Sequence, residues 1–182
     1  MESAMNHLRE ILTELQKIQE PVVLVTHLSA ETQTERPLGA RWICAASAQL
    51  ETKEPLRAEI LATLQEGRPR IVILEGRTEL LLEPLQPGRL APWIHFCAQL
   101  LERDKACVPA VVIKAEGEIP YLVGETFAYD ARSHGLVPLD QELNIALHHA
   151  TGRALKEGTA RIERFPVPGG NVTLLLEPLG GN

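Results

Sequence analysis

A six-residue apolar segment that occurs twice constrains the fold of this chain more than any other feature. The sequence Leu-Leu-Leu-Glu-Pro-Leu stands at residues 80–85 and returns unchanged at residues 174–179. An identical segment near the end of each half indicates an internal duplication, in which each repeat forms one structural unit. The leucines predict the last core strand of each half, and the proline is expected to end that strand.

The order of predicted elements is the same in both halves. Apolar residues at three- and four-residue steps predict helices, and short β-branched apolar runs predict strands. In the first half the elements are a helix over 5–19, strands over 22–25 and 39–45, a helix from Pro55 to a capping Gly67, and a hairpin of 71–74 with 79–83. In the second half they are a helix over 92–103, strands over 108–113 and 122–129, a helix from an N-cap Asp140 to Gly158, and a hairpin of 160–167 with 172–177.

We therefore expect a mixed α/β fold of two similar helix-strand-strand-helix-strand-strand lobes with pseudo-twofold symmetry. The repeats would span residues 1–86 and 87–182, either as two lobes or as one compact unit. Three anchor pairs align them: Pro21 with Pro109, Gly39 with Gly124, and Leu80 with Leu174.

Composition and charge exclude several classes of function. The net charge of −6 argues against broad binding to nucleic acids or anionic membranes, which needs a basic face, and leaves a local basic pocket open. Cys44, Cys97 and Cys107 form no CxxC motif, which is typical of a reducing compartment. No apolar run approaches the length of about 20 residues that a membrane span needs, and the start has no leader pattern. We expect a cytoplasmic protein, and a homo-oligomer stays open.

The loops before the two glycine strands carry a family resemblance. Residues 32–42 and 117–127 both resemble the N-terminal domain of the XdhC/CoxI family, the accessory proteins of xanthine dehydrogenase and carbon monoxide dehydrogenase. That family has a Gly-Ser-x-Pro-Arg-x-x-Gly-Ala loop and a later Cys-Gly-Gly turn before a strand that ends like Leu-Glu-Pro-Leu. The matching residues are Arg36, Gly39 and Ala40 in the first copy, and Gly117, Pro120, Gly124, Gly169 and Gly170 in the second.

The resemblance implies a protein that holds the molybdenum cofactor for a molybdenum hydroxylase, but this chain departs from the motif. The motif serine is Gln33 in one copy and Glu118 in the other, and the turn cysteine is Pro168. The first copy keeps only Gly76 at the Gly-Gly turn, and no GxGxxG occurs. Larger members continue into a nucleotide-binding-type domain, where this sequence stops at Asn182.

Five residues are candidates for cofactor binding: Arg36, Gly39, Gly124, Gly169 and Gly170. A guanidinium beside exposed backbone N–H groups suits a phosphate or pterin-type ligand. Arg36 is alternatively a solvated loop residue, and Gly39 a turn or bulge glycine. The Gly169-Gly170 pair could admit a ligand or form a hairpin turn that needs positive φ, and the two roles are compatible.

No catalytic or metal site is predicted. His148 and His149 are adjacent on a helix and point about 100° apart, whereas helical metal ligands are spaced i,i+4. We expect an accessory or binding protein without catalysis, with its ligand in a cleft between the lobes. The alternative is a degenerate structural or protein-interaction module, and a weaker third is a small hydrolase or transferase with an unidentified nucleophile.

Overall fold

Two antiparallel sheets and four helices make up the described part of the protein. The computed structural model describes residues 4–29, 36–45, 54–74, 78–132 and 134–180. The first half contains α1 (Ala4–Leu15), β1 (Val22–His27), β2 (Arg41–Ala45), α2 (Leu56–Glu66), β3 (Arg70–Leu74) and β4 (Thr78–Leu85). The second contains α3 (Pro92–Glu102), β5 (Cys107–Gly117), β6 (Thr126–Asp130), β7 (Gly135–Leu136), α4 (Gln141–Glu157), β8 (Arg161–Val167) and β9 (Gly170–Leu176). The predicted mixed α/β class is confirmed.

The chain divides into two compact units, residues 1–91 and 92–182. The strand order is β2-β1-β4-β3 in the first unit and β7-β6-β5-β9-β8 in the second. Without the two-residue β7, which was not predicted, both sheets have the same order. Each sheet therefore has the same pair of central strands, β1 with β4 and β5 with β9. The pseudo-twofold relation of the units stays a prediction.

The pairing registers also correspond residue by residue. Val25 lies opposite Trp42 and Leu82, just as Ala110 lies opposite Phe127 and Leu176. His27 faces Leu80 in β4, and Val112 faces Leu174 in β9. The structure therefore aligns Leu80 with Leu174, as predicted.

The predicted alignment of Pro21 with Pro109 is wrong. In the paired strands Pro109 lies opposite Ala128, and Leu24 lies opposite Ile43 at the corresponding point of the first sheet. Pro109 is thus the counterpart of Leu24, inside the strand. Each proline stands beside an apolar run in the sequence, but Pro21 precedes its strand and Pro109 lies within its strand.

The repeated hexapeptides form interior strands of the sheets. β4 lies between β1 and β3, and β9 lies between β5 and β8. An interior strand covered on both faces is apolar at consecutive positions, and the three leucines of each copy are at most 2% exposed. The expectation that proline ends the strand is wrong in the first copy, because Pro84 still pairs with Val23 and Leu85 with Val22.

Each unit has its own apolar core on one face of its sheet. In the first unit, Ile60 of α2 packs with Val23, Val25, Leu80 and Leu82. In the second, one side of α4 packs with alternate residues of β5 and β9; its buried residues are Leu143, Leu147, Ala150 and Ala154. Helix α3 lies against β5 and β6 and contributes nothing to that cluster, so it covers the opposite face.

Some predicted boundaries differ from the structure. Helix α1 ends at Leu15 rather than residue 19, and residues 122–125 form a turn rather than the start of a strand. Asp140 is the N-cap of α4, as predicted, and accepts a hydrogen bond from the amide of Leu143. None of the helices in the described residues has the length and apolar character needed to span a bilayer.

Candidate functional site

A tight turn before β2 holds the first candidate glycine. The amide of Ala40 donates to the carbonyl oxygen of Pro37 at 3.0 Å, and the amide of Gly39 donates to that of His27 at 2.8 Å. Gly39 has φ of +81°, as the third residue of a type II turn requires. The amides of Gly39 and Ala40 are therefore used by the chain itself and are not exposed to an anion.

The second unit repeats this turn with the same hydrogen bonds. The amide of Glu125 donates to the carbonyl of Leu122 at 3.0 Å, and the amide of Gly124 donates to that of Val112 at 2.8 Å. Gly124 has φ of +87°. Gly39 and Gly124 are thus equivalent, as the sequence predicted, and the turn accounts for a glycine at both positions.

Arg36 precedes the first turn and lies over an aromatic ring. Its guanidinium carbon is 4.0 Å from the ring centroid of Trp42, a distance at which a cation is attracted by the ring. In the second unit the corresponding contact is between Tyr121 and Phe127, whose rings meet edge to face at 6.0 Å. Arg36 is exposed, whereas Tyr121 is buried. The first unit therefore presents a positive charge at a position where the second has a packed tyrosine.

His27, which sequence reasoning missed, lies under the first turn at the end of β1. It is 2% exposed, and its Nδ1 lies 3.2 Å from the carbonyl oxygen of Pro37. A carbonyl only accepts, so Nδ1 is the donor in this contact. Nε2 is buried, and none of the described residues is its hydrogen-bond partner. Buried polar atoms without partners are rare and mark sites of interest.

A second buried polar contact lies on the other face of the same sheet. Arg41 is 2% exposed, and its Nε donates to the hydroxyl oxygen of Thr26 at 3.2 Å. The counterparts of Thr26 and Arg41 in the second unit are Val111 and Thr126, which face each other in β5 and β6. A buried guanidinium is therefore a feature of the first unit that the shared fold does not require.

The Gly169-Gly170 candidates form the β8–β9 turn, one of the two alternatives left open by the sequence. Gly169 has φ of +91°, and its carbonyl oxygen accepts from the amide of Glu118 at 3.1 Å. A Cβ added to Gly170 would overlap the carbonyl oxygen of Glu116 and lie 2.9 Å from its carbon. The close approach that these glycines permit is thus made by the chain itself, at the end of β5 and at Glu118, which follows it.

The structure brings together the two motif positions that depart from the family pattern in the second unit. Glu118 stands at the serine position and Pro168 at the cysteine position. The Glu118 amide bonds to Gly169, next to Pro168. The loop and the turn meet although they are distant in sequence. Gln33 and Gly76, the corresponding residues of the first copy, lie outside the described residues.

The five candidates do not form one described site. Arg36 and Gly39 belong to the first unit, and Gly124, Gly169 and Gly170 belong to the second. Gly124 contacts β5 at Val112, whereas Gly170 pairs with Gly117. These points of β5 are separated by about 16 Å of strand. The expected cleft between the lobes stays a prediction.

Both tyrosines of the chain are held in their neutral form. Burial raises the pKa of Tyr129 far above its usual value, and its hydroxyl donates to Oδ1 of Asn144 at 3.1 Å. Burial also raises the pKa of Tyr121, and the negative charge of Asp140 adds to the rise. Neither hydroxyl is suited to act as a base near neutral pH.

A shallow depression of about 310 Å³ in the second unit is lined by Lys105, Asp130, Arg132 and His134. The Asp130 carboxylate accepts from the amides of Arg132 and His134 at 2.8 Å each, so it holds the local turn. Cys44, Cys97 and Cys107 are all buried. Among the described residues, no group of three or more His, Cys, Asp and Glu side chains could hold a metal ion.

One solved structure similar to this chain is the crystal structure of a xanthine dehydrogenase from Bacillus halodurans. The sequence identity is 17% and the TM-score 0.46; the similarity covers 66% of this chain and 37% of that one. The matched region is thus little more than a third of that protein's length, and a similarity of this size carries no argument about function. No protein-family model matches the chain, and no curated protein matches it either.

Proposed function

We propose that the protein is an accessory or binding protein similar to the XdhC/CoxI family, with no catalysis of its own. The observation that carries the proposal is the contact between Glu118 and Gly169. In the resemblance these positions belong to the Gly-Ser loop and the Cys-Gly-Gly turn, which are far apart in sequence. A motif whose separated parts meet in the fold supports the resemblance better than either part alone.

The residue types at that contact support the absence of catalysis. Glutamate replaces the motif serine and proline replaces the motif cysteine, so the contact has neither a hydroxyl nor a thiol nucleophile. A hydroxyl or thiol that is activated by a base or by a lowered pKa is a common nucleophile in covalent catalysis, and the family motif offers one of each at these two positions. A protein with this contact can hold a ligand or a partner without covalent chemistry by these two side chains.

Charge favours the first unit as the place for an anionic ligand. The carboxylate of Glu118 would repel an anion at the second-unit contact, whereas Arg36 is an exposed residue whose guanidinium lies over the ring of Trp42. A guanidinium binds phosphate through two parallel hydrogen bonds. The molybdenum cofactor, which the resemblance implies, carries a phosphate that fits this side chain, and a molybdenum hydroxylase would be the partner. The amides of Gly39 and Ala40 do not contribute, since both are bonded within the turn.

Thermal unfolding with added ligand tests this proposal. A pterin phosphate and inorganic phosphate would be titrated separately into the wild type and into R36A. A ligand at tenfold its Kd stabilises the native state by about 1.4 kcal/mol, which is about 3–6 °C for a chain of this size. We expect that rise in the wild type and less than about a third of it in R36A, because the guanidinium is the phosphate contact.

The matched control is R89A, which removes another exposed arginine of the first unit. It should keep the full rise in melting temperature. Equal losses in R36A and R89A would mean that only net charge matters, and no rise in the wild type with either ligand would refute ligand binding.

A second function, a structural or interaction module without a ligand, is favoured by a different observation. The glycines at positions 169 and 170 are packed against backbone atoms at the end of β5 and at Glu118, which follows it. This packing is explained by folding alone. The absence of any stabilisation by pterin phosphate would select this function.

A further inference from the structure

The outer edge of β3 differs from the equivalent edge in the second unit. β3 and β8 are the edge strands beside β4 and β9. Arg70 faces Leu82 as Arg161 faces Leu176, so the two strands correspond residue by residue. An exposed edge strand can pair with a strand of another molecule. The two equivalent edges differ in how they are protected against such pairing.

The β8 edge is protected by charge. At the positions of Val72 and Ile73 it has Glu163 and Arg164. Glu163 bonds to Arg153 at 2.9 Å, and Arg164 bonds to Glu116 at 3.0 Å. β8 also contains Pro166, which has no N–H to donate. Charged side chains and proline are the usual means by which a sheet edge avoids further pairing.

The β3 edge has none of these protections along its centre. Ile71, Val72 and Ile73 are consecutive apolar residues, and Ile73 is 69% exposed. Arg70 is the one charged residue of the strand, and it is engaged by α2 through Glu59 at 2.9 Å and Glu66 at 3.2 Å. Among the described residues, β4 is the only strand that pairs with β3.

We infer that β3 pairs with β3 of a second copy of this chain, through an antiparallel two-fold contact that joins the two four-stranded sheets. The sequence of β3 indicates that its pairing partner is another copy of the same strand. Ile71-Val72-Ile73 reads the same in both directions, so antiparallel copies centred on Val72 place each Ile71 opposite Ile73 of the other copy. An isologous interface requires such self-complementarity.

Charge and proline select this register. Centring on Val72 places Arg70 of each copy opposite Leu74 of the other, so the two arginines stay at opposite ends of the contact. Centring on Ile71 would instead place Pro69, which lacks an N–H, opposite Ile73. The exposed face of Ile73 is covered in the Val72 register by the Ile71 of the other copy, since directly opposite side chains are neighbours across strands.

The contact is small, so the association is weak. Five paired residues span about 17 Å, and such a contact buries less than the roughly 800 Å² per partner of a stable interface. The dimer is therefore concentration-dependent. It is independent of the ligand proposed above, because neither Arg36 nor its turn belongs to β3.

Sedimentation velocity over a range of roughly 10–500 µM tests the inference, a range suited to a weak interface. The weight-average sedimentation coefficient of the wild type should rise with concentration. Ile73→Lys should stay at the monomer value, because it places a charge at the position where β8 has Arg164. The control Leu139→Lys makes the same chemical change at a fully exposed leucine outside the edge and should behave as the wild type. A wild type that stays monomeric, or equal loss in both variants, would overturn the inference.

Disulfide cross-linking tests the register. A mixture of Ile71→Cys and Ile73→Cys proteins should form a covalent dimer several-fold faster than either protein alone, because residues 71 and 73 are directly opposite only between copies. The native cysteines are buried and should not react. Equal rates for the mixture and the single proteins would overturn the Val72 register.

Discussion

Replacing Gly170 by alanine tests whether the Gly-Gly turn is shaped by the chain itself rather than by a ligand. A Cβ there would overlap the carbonyl oxygen of Glu116 and lie 3.1 Å from Cα of Gly117. Both are backbone atoms, so no side chain can rotate away and the ends of β5 and β9 must separate. Overpacking costs about 1–3 kcal/mol, and each lost ladder hydrogen bond adds about 1 kcal/mol. We expect G170A to lower the free energy of unfolding by about 3 kcal/mol.

Two other glycines of the second unit serve as controls, because alanine at either position brings no steric overlap with the backbone of another segment. Gly158 has φ of +67° with no atom within 4 Å of an added Cβ, so G158A should cost only the about 1–2 kcal/mol of a left-handed alanine. Gly152 lies in α4 with no atom within 4 Å of an added Cβ, so G152A should stabilise by about 1 kcal/mol, the helix-propensity difference.

Urea unfolding followed by circular dichroism and tryptophan fluorescence measures the series, with Trp93 buried in the same unit. Unchanged slopes would show that the midpoints report stability. The expected order of midpoints is G152A, wild type, G158A, G170A. A G170A variant within about 0.5 kcal/mol of the wild type, the usual range for surface changes, would refute the close backbone contact. Equal costs for G158A and G170A would assign the effect to φ alone.

Two further predictions concern the second unit. Burial raises the pKa of Tyr129, so the contribution of this tyrosine to stability is complete below about pH 10. The contribution is lost as the pH rises towards the folded-state pKa, because the unfolded state ionises first. Y129F should therefore show a smaller decline in urea midpoint above about pH 10 than the wild type, and identical declines would contradict this. The Asp140 carboxylate accepts a hydrogen bond from the amide of Leu143 at 2.6 Å. Urea unfolding should show that D140A lowers the free energy of unfolding by about 1 kcal/mol, whereas D140N retains most of the stability because asparagine also caps helices. Equal losses in the two variants would mean that charge rather than capping is responsible.

Local patterns predicted most of the helices and strands. The apolar periodicity of α4 and its N-cap at Asp140 are local, and both were correct. Leu122 and Val123 were assigned to a strand because they are apolar, but the positive φ of Gly124 makes them part of a turn. Strand β7 was missed because two residues carry no periodicity, and its pairing with β6 is a tertiary contact.

The buried polar residues could not be predicted, because their burial depends on distant segments. Thr26 and His27 follow the apolar run at residues 22–25 and lie between the predicted strand and the predicted loop over 28–38. The strand continues to His27, which is covered by pairing with Leu80 of β4 and by the turn at Pro37. One signal was present in the sequence. When the halves are aligned by strand register, Thr26 and His27 correspond to Val111 and Val112, so two polar residues stand at positions that are apolar in the second half.

Because the two units share a strand order, comparing them distinguishes residues that the fold requires from residues that it does not require. Positions that are identical in both units, such as Leu80 with Leu174 and Gly39 with Gly124, are explained by buried leucines and by a turn that needs positive φ. The differences are one-sided: the first unit has a buried imidazole and an exposed guanidinium where the second has Val112 and a buried tyrosine. Ion pairs protect the edge strand β8 of the second unit, whereas the equivalent edge strand β3 of the first unit is apolar at Ile73. The same topology folds without any of these features, so folding does not account for them, and we expect the binding surfaces of the protein in the first unit.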